Sequence, residues 1–143
     1  HAGDFGYSTQ IQTFIANHKV RGVYGNIDGK EIRGLYPKIE KFKCNNIKVL
    51  ITHIGGYPKK YQKKIESEIQ LYKPDLFICG HSHILKVMYD DKYQLLHINP
   101  GAAGKEGFHY MRTMILIKIE NGKVFDLRVV ELGKKNQLSN PIN

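Results

Sequence analysis

Short apolar runs recur along the chain, and several of them end at a glycine, an asparagine or a histidine. Apolar runs bounded by turn residues are typical of buried strands. The sequence predicts strands over Lys19 to Tyr24, Ile39 to Cys44, Ile47 to His53, Asp75 to Cys79, Leu85 to Tyr89, Tyr93 to Ile98, Met111 to Glu120 and Lys123 to Leu132.

Helical patterns separate the earlier strands. The first predicted helix follows Ser8 or Thr9, either of which can cap it, the second is a short turn near Lys30 to Tyr36, and the third runs from about Pro58 to Tyr72. Hairpins dominate the later part of the chain, where Asn121-Gly122 is a strong signal for a tight turn. The pattern is therefore that of a strand-rich α/β protein.

Polar groups that can bind metals stand at the predicted strand ends. Gly80-His81-Ser82-His83 follows a buried-looking strand, His53 follows another, and Gly3-Asp4 and Gly25-Asn26 lie upstream. Carboxylate, carboxamide and imidazole make a mixed oxygen and nitrogen ligand set that suits Mn, Fe, Zn, Ni or Co. Taken singly, Gly3-Asp4 and Gly25-Asn26 also fit ordinary turns, and His53 fits a hydrogen-bonded core histidine.

The order of these motifs carries more information than any one of them. Gly3-Asp4, Gly25-Asn26-Ile27-Asp28, His53, Gly80-His81-Ser82-His83 and Asn99-Pro100-Gly101-Ala102 follow one another along the chain. This series resembles the calcineurin-like metallophosphoesterases, and most closely their small bacterial and archaeal phosphodiesterase branch. The resemblance runs from His1 to about Leu132.

The resemblance implies an α/β fold, a four-layer α-β-β-α sandwich of two mixed sheets flanked by helices. The family begins with an Asp-x-His motif, whereas this sequence opens at His1-Ala2-Gly3-Asp4, so the N-terminal strand, helix and strand of that fold are expected to be missing. Residues 1–133 would form the metallophosphoesterase domain, and the polar residues 134–143 a disordered tail.

The resemblance also implies a dinuclear metal site. Asp4 would bridge the two ions, Asn26, His53 and His81 would bind one of them, and His83 the other. The cofactors would be two divalent ions, Mn first, with Ni, Fe, Zn or Co as alternatives. The reaction would be hydrolysis of a small phosphodiester by a metal-activated water, with Asn26 and His53 as catalytic residues.

Supporting roles follow from the same resemblance. Asp28, His97 and Asn99 would orient the ligands or contact the substrate. Many relatives carry a histidine general acid after the asparagine of the Gly-Asn motif, where this chain has Ile27. The small phosphodiesterase branch also lacks that histidine, so Ile27 favours the branch and leaves the proton donor for the leaving group open.

Composition changes this picture little. The chain has 143 residues, enough for one domain, and a formal net charge of +9. Its lysines are scattered, which favours a solvated surface over a nucleic-acid face. No apolar run approaches the length of a membrane span, and the two cysteines, Cys44 and Cys79, make no disulfide framework, so a reducing cytoplasm is the expected compartment.

Two other interpretations remain open from the sequence. A retromer subunit has the same fold and acts as a protein-interaction scaffold in which metal ligation has degraded, but His53, His81 and His83 are all present here. The chain could also be an inactive fragment that holds at most one metal. Whether it forms a homo-oligomer is likewise open.

Overall fold

The computed structural model describes residues 1–6 and 8–135. Within them the helices are Thr9–Asn17 (α1), Lys30–Leu35 (α2) and Lys63–Tyr72 (α3). The strands are Ile39–Cys44 (β1), Ile47–Thr52 (β2), Gly56–Tyr57 (β3), Lys60–Tyr61 (β4), Leu76–Cys79 (β5), Leu85–Asp90 (β6), Leu95–Pro100 (β7), Met111–Glu120 (β8) and Lys123–Lys134 (β9).

A five-stranded mixed sheet forms the centre of the fold, in the order β1-β2-β5-β7-β6. Strands β2, β5 and β7 run parallel to one another, whereas β1 and β6 are antiparallel at the two edges. Central parallel strands are buried on both faces, which explains why β2 and β5 are almost continuously apolar. Their carboxyl ends lie at one edge of the sheet, and His53 and His81 follow the ends of β2 and β5 there.

Each face of the central sheet is covered by a different element. Helix α3 covers one face with Ile65 and Ile69, which pack against the buried Leu50 and Phe77. The other face, which includes Val49 and its neighbours, contacts apolar side chains of the β8–β9 hairpin. Phe5 and residues of α1 and α2 form a third apolar cluster. The layers are thus helix, mixed sheet and hairpin, and the site lies at the end of the middle layer.

The α/β class and the central mixed sheet confirm the sequence prediction. Beside the central sheet, the described residues form two two-stranded sheets, the β3–β4 hairpin and the β8–β9 hairpin. The β8–β9 hairpin, which packs on the central sheet, is antiparallel rather than mixed because the Asn121-Gly122 turn joins neighbouring strands directly. The strand predicted over Lys19 to Tyr24 does not form. The amide of Val23 donates to the carbonyl oxygen of His1, and the amide of Tyr24 donates to that of Pro37, so the segment does not join a ladder of strand hydrogen bonds. Val23 is nevertheless fully buried.

The start of the third helix also differs from the prediction. The third helix begins at Lys63 rather than near Pro58, because Gly56–Tyr57 and Lys60–Tyr61 pair as a small hairpin first. The predicted tail over residues 134–143 lies outside the described residues except for Lys134 and Lys135. In the part of the chain that is described, no helix has both the length and the apolar character needed to span a bilayer.

Candidate metal site

Two histidines meet because two parallel strands end in register. Thr52, the last residue of β2, pairs with Cys79, the last residue of β5. The residue after Thr52 is His53, and the residues after Cys79 are Gly80 and His81. The amide of Gly80 donates to the carbonyl oxygen of His53 over 2.9 Å, which extends the register beyond the strands. The ring centroids of His53 and His81 therefore lie 5.1 Å apart, and the two rings meet edge to face.

The carboxamide of Asn26 lies between these two imidazoles. Its Oδ1 atom is 2.9 Å from Nε2 of His53 and 2.9 Å from Nδ1 of His81. Asn26 is held there by its own backbone, since its carbonyl oxygen accepts from the Arg33 guanidinium over 3.1 Å. Asn26, His53 and His81 are far apart in sequence, but their side chains thus lie within hydrogen-bond distance of one another through Oδ1 of Asn26.

Asp4 adds a carboxylate to the same cluster. Its Oδ2 lies 3.2 Å from Nε2 of His53, and its Oδ1 accepts from the amide of Ile27 over 3.2 Å. Asp4 has a backbone φ of 57°, in the left-handed region, as do His81 at 67° and His83 at 58°. Left-handed backbone in non-glycine residues costs roughly 1–2 kcal/mol each and is concentrated at functional sites.

The chemistry of the cluster fits a divalent cation. Nδ1 of His53 lies 2.7 Å from the carbonyl oxygen of Ala2, which can only accept a hydrogen bond, so a neutral ring carries its hydrogen there. Its Nε2 lone pair then faces Oδ1 of Asn26 and Oδ2 of Asp4, which are also acceptors. Lone pairs that converge in this way require a proton or a cation among them. Ligands about 2.1 Å from one ion lie about 3 Å apart, close to the separations observed.

Asn26 is essential to that fit. Among residues 1–6 and 8–135, no group of three or more His, Cys, Asp or Glu side chains is placed to hold a metal ion. The cluster therefore depends on the carboxamide oxygen, a ligand type outside that set. We expect an ion to bind here through Asn26 together with its neighbours rather than through imidazoles and carboxylates alone.

Asp28 fixes the backbone beneath the cluster. Its side chain is buried, its Oδ2 accepts from the amides of Asp4 at 2.9 Å and Gly25 at 2.7 Å, and its Oδ1 accepts from Gly6 at 3.2 Å. One carboxylate thereby ties the loop that carries Asp4 to the loop that carries Asn26.

Two glycines allow these loops to approach. A Cβ at Gly25 would lie 2.0 Å from Oδ1 of Asp4, and a Cβ at Gly3 would lie 2.5 Å from Nδ1 of His53. Both distances are far inside van der Waals contact. Any larger residue at either position would push Asp4 or His53 away from the cluster.

His83 lies beside a second histidine instead of Asn26. Its Nδ1 is 3.3 Å from Nδ1 of His109, which belongs to the loop between β7 and β8. Burial lowers the pKa of His83, the neighbouring His109 lowers it further, and the charge of Asp4 raises it. Burial and His109 thus favour the neutral form of His83, in which imidazole binds metals.

Asn99 and His97 differ in their surroundings, although both are fully buried. Asn99 donates to the carbonyl oxygen of Gly80 over 3.0 Å and to Oγ of Ser82 over 3.1 Å, so it supports the loop that carries His81 and His83. His97 lies in the core, with its ring 5.6 Å from that of Phe77. Neither ring nitrogen of His97 has a hydrogen-bond partner among the described residues.

A cleft of about 280 Å³ opens beside the cluster. Asn26 and His53 are among the residues that line it, and so are the cationic residues Arg33, Lys38 and Lys64. A cleft with this charge favours an anionic ligand next to the strand ends.

Sequence reasoning missed part of this arrangement. Neither His109 nor Gly107, which lets the loop approach His83, belongs to any of the motifs in the sequence. A Cβ at Gly107 would lie 2.1 Å from Nδ1 of His83. The short segment Phe108-His109-Tyr110 holds a histidine between two aromatic residues, which was the only hint available.

The fold and the site together define a class of protein, an α/β domain with a cluster of carboxylate, carboxamide and imidazole at its strand ends. A family model described as the calcineurin-like phosphoesterase superfamily domain matches residues 1–122. The chain belongs to the calcineurin-like phosphoesterase superfamily, as the resemblance of its motifs predicted.

Solved structures show the same fold. An archaeal phosphodiesterase is 23% identical, with 92% of this chain and 81% of that chain covered at a TM-score of 0.69. Vps29 from Entamoeba histolytica, solved with zinc, is 16% identical, with 90% and 77% covered at a TM-score of 0.64. A predicted phosphoesterase from Streptococcus pneumoniae is 19% identical, with 85% and 66% covered at 0.58.

At these identities the likeness concerns the fold alone. No curated protein matches the chain. The superfamily assignment and the shared fold are therefore established, whereas the reaction must be argued from the site itself.

Proposed function

We propose that this chain is a metal-dependent phosphodiesterase that uses two divalent ions, Mn first among the candidates, and acts on small phosphodiesters. Membership of the calcineurin-like phosphoesterase superfamily supports the hydrolase class. The similarity in fold to an archaeal phosphodiesterase supports the choice of diesters. A cytoplasmic location is supported by the two cysteines, because Cys44 and Cys79 are both free thiols, as is usual in a reducing compartment.

One observation carries the proposal. Oδ1 of Asn26 lies 2.9 Å from a ring nitrogen of both His53 and His81, and Asp4 reaches the same His53 nitrogen at 3.2 Å. A structural role would pair each acceptor with a donor. Nε2 of His53, Oδ1 of Asn26 and Oδ2 of Asp4 instead turn acceptors toward one another, which favours a cation among them.

The residues would divide the work as follows. Asn26, His53 and His81 would hold one ion, His83 the other, and Asp4 would lie between them. Bound divalent ions supply Lewis acidity, which stabilises the charge of the phosphoryl group and lowers the pKa of water. Neutral imidazoles hold a cation without cancelling its charge, so three histidines preserve more Lewis acidity than three carboxylates would. Lys38 and Lys64 in the adjoining cleft would attract the anionic diester.

Ile27 limits the choice of substrate. Its side chain is 66% exposed and cannot transfer a proton, and its amide is already bonded to Asp4. Since residue 27 cannot donate a proton, the rate at which the leaving alcohol departs from the diester would depend on the pKa of that alcohol. We expect the enzyme to favour diesters with good leaving groups.

The test combines metal content with hydrolysis of bis-p-nitrophenyl phosphate. We expect the purified chain to bind Mn²⁺ and hydrolyse the diester, and Asn26→Ala and His81→Ala to lower kcat/KM by about 100-fold or more. His18→Ala, which removes an exposed imidazole at the end of α1, is the matched control and should retain full activity. A folded chain that binds no ion and hydrolyses no diester would favour the scaffold interpretation instead.

A further inference from the structure

The cleft beside the Asn26 cluster carries positive charge and no carboxylate. Arg33, Lys38 and Lys64 line it, and none of the other residues that line it is an aspartate or a glutamate. None of the ion pairs formed within residues 1–6 and 8–135 includes any of these three cations. The cleft therefore presents three cationic side chains to whatever binds in it.

Arg33 is held in place by uncharged groups. Its Nε donates to the carbonyl oxygen of Asp28 over 2.6 Å, and its Nη2 donates to those of Gly25 at 3.2 Å and Asn26 at 3.1 Å. The guanidinium also lies 4.6 Å from the centre of the Tyr24 ring. Nη1 has no hydrogen-bond partner among the described residues, so a positioned guanidinium keeps two N–H groups for an anion.

The phosphate that reacts does not account for these cations. A phosphodiester carries one negative charge, and Asp4 is the one carboxylate among the five proposed metal ligands. Two divalent ions with that ligand set leave about three net positive charges, which already exceed the charge of the diester. The cations of the adjoining cleft therefore favour a second anionic group on the same substrate.

The size of the cleft limits the distance between the two groups. A spherical cavity of 280 Å³ is about 8 Å across, at the small end of the range for ligand pockets. That space holds one sugar or a linker of similar length. Ile39, Ile54 and Ile65 also line the cleft and provide apolar contacts for such a linker.

We propose that this cleft binds a second phosphate group of the substrate, so that the preferred substrates are small phosphodiesters with another phosphate about one sugar away. Arg33, Lys38 and Lys64 bind that group, which takes no part in the reaction and serves only for recognition. The proposal rests on the proposed function, since the first phosphate is the diester that would be hydrolysed at the Asn26 cluster.

Two thymidine compounds test the proposal. Thymidine 5′-(p-nitrophenyl phosphate) and its 3′-phosphorylated form have the same scissile bond and the same leaving group, and they differ only in the second phosphate. We expect the 3′-phosphate to raise kcat/KM by about tenfold, mainly through a lower KM, because its contacts lie away from the reacting bond. A 3′-O-acetyl form, which adds bulk without charge, should show no such gain.

Lysine variants locate the effect in the cleft. Lys38→Gln and Lys64→Gln should each reduce the advantage of the 3′-phosphorylated compound by about threefold, since both lysines are exposed and their charges are screened. The double variant should remove most of the advantage. Lys123→Gln, which removes one charge from the exposed start of β9, is the matched control and should leave the advantage unchanged.

Calorimetry provides a second readout that needs no hydrolysis. Thymidine 3′,5′-bisphosphate should bind the chain about tenfold more tightly than thymidine 5′-monophosphate. Lys38→Gln and Lys64→Gln should narrow that difference, whereas Lys123→Gln should preserve it. Circular dichroism confirms that each variant is folded before binding is compared.

The outcomes separate the two proposals. Hydrolysis of both thymidine compounds with equal kcat/KM would overturn the second phosphate site and leave the proposed function standing. A chain that hydrolyses neither compound, yet binds the bisphosphate more tightly in a way that depends on Lys38 and Lys64, would overturn the proposed function and support the phosphate site. If Lys123→Gln reduces the advantage as much as Lys38→Gln does, net charge explains it and the site is overturned.

Discussion

Gly25 and Asp4 lie so close that a single methyl group on Gly25 would reach 2.0 Å from Oδ1 of Asp4. The two residues belong to different loops, and the carboxylate of Asp28 joins those loops by accepting from both backbone amides. The position of the Asp4 carboxylate is therefore set by the absence of a side chain at residue 25.

Gly25→Ala should abolish the site without unfolding the protein. The methyl group would displace Asp4, and a misplacement of about 1 Å in a catalytic group can cost about 100-fold in rate. We expect a loss of that size in kcat/KM for bis-p-nitrophenyl phosphate, with weaker Mn²⁺ binding. Gly34→Ala in α2 is the control, because a Cβ there would meet no described atom within 4 Å. Equal activity in both variants would contradict the steric argument.

Asp28→Asn should destabilise the two loops together. The carboxylate accepts from Asp4, Gly6 and Gly25, and an asparagine has only one acceptor oxygen, so at least one amide would lose its partner. Leaving a buried donor unpaired costs about 1–3 kcal/mol. Chemical denaturation should show a loss of that size, together with weaker metal binding. Asp91→Asn, an exposed turn substitution, should change neither quantity.

His97 should make the protein sensitive to acid. Burial lowers the pKa of His97 from 6.5 to about 4, and the nearby Lys86 adds to this effect. Between these values the unfolded chain binds more protons than the folded one, so the free energy of unfolding falls as the pH falls. The contribution of the neutral His97 ring to the free energy of unfolding is fully present above about pH 6.5, and it is lost progressively as the pH falls from about 6.5 to about 4.

The variant His97→Phe removes that proton site and keeps an aromatic ring in the core. We expect the loss of unfolding free energy between pH 7 and pH 5 to shrink by about 2 kcal/mol relative to the unaltered chain. Urea denaturation at several pH values measures it, with His18→Phe at an exposed position as the control. An unchanged pH dependence in His97→Phe would show that other groups are responsible.

Ile27→His should broaden the range of substrates. A histidine at this exposed position could donate a proton to the leaving group, and general acid catalysis contributes about 100-fold or more where it is well placed. We expect diesters with alkyl leaving groups to gain about tenfold in kcat and bis-p-nitrophenyl phosphate to gain little. Ile27→Gln, which is polar but transfers no proton, is the control. An equal gain in Ile27→Gln would point to polarity rather than to proton transfer.

Local sequence was sufficient to predict much of the candidate site. The apolar runs predicted β2 and β5, and the residues that follow those strands are His53 and His81, which do meet at the carboxyl ends of the sheet. Asn26 joins them as the motifs implied. The strand over Lys19 to Tyr24 was wrong, because an apolar run predicts burial, whereas a strand also requires a neighbour with which to form a ladder.

By itself the sequence determined the α/β class and the central strands, because these depend on the alternation of apolar and polar residues over a few positions. The tertiary structure alone decided that His109 faces His83, that Gly107 leaves room for this approach, and that His97 is enclosed in the core. Such pairings depend on where loops pass in space and on left-handed backbone at single residues. No local pattern encodes these features, because each follows from contacts between segments that lie far apart in the chain.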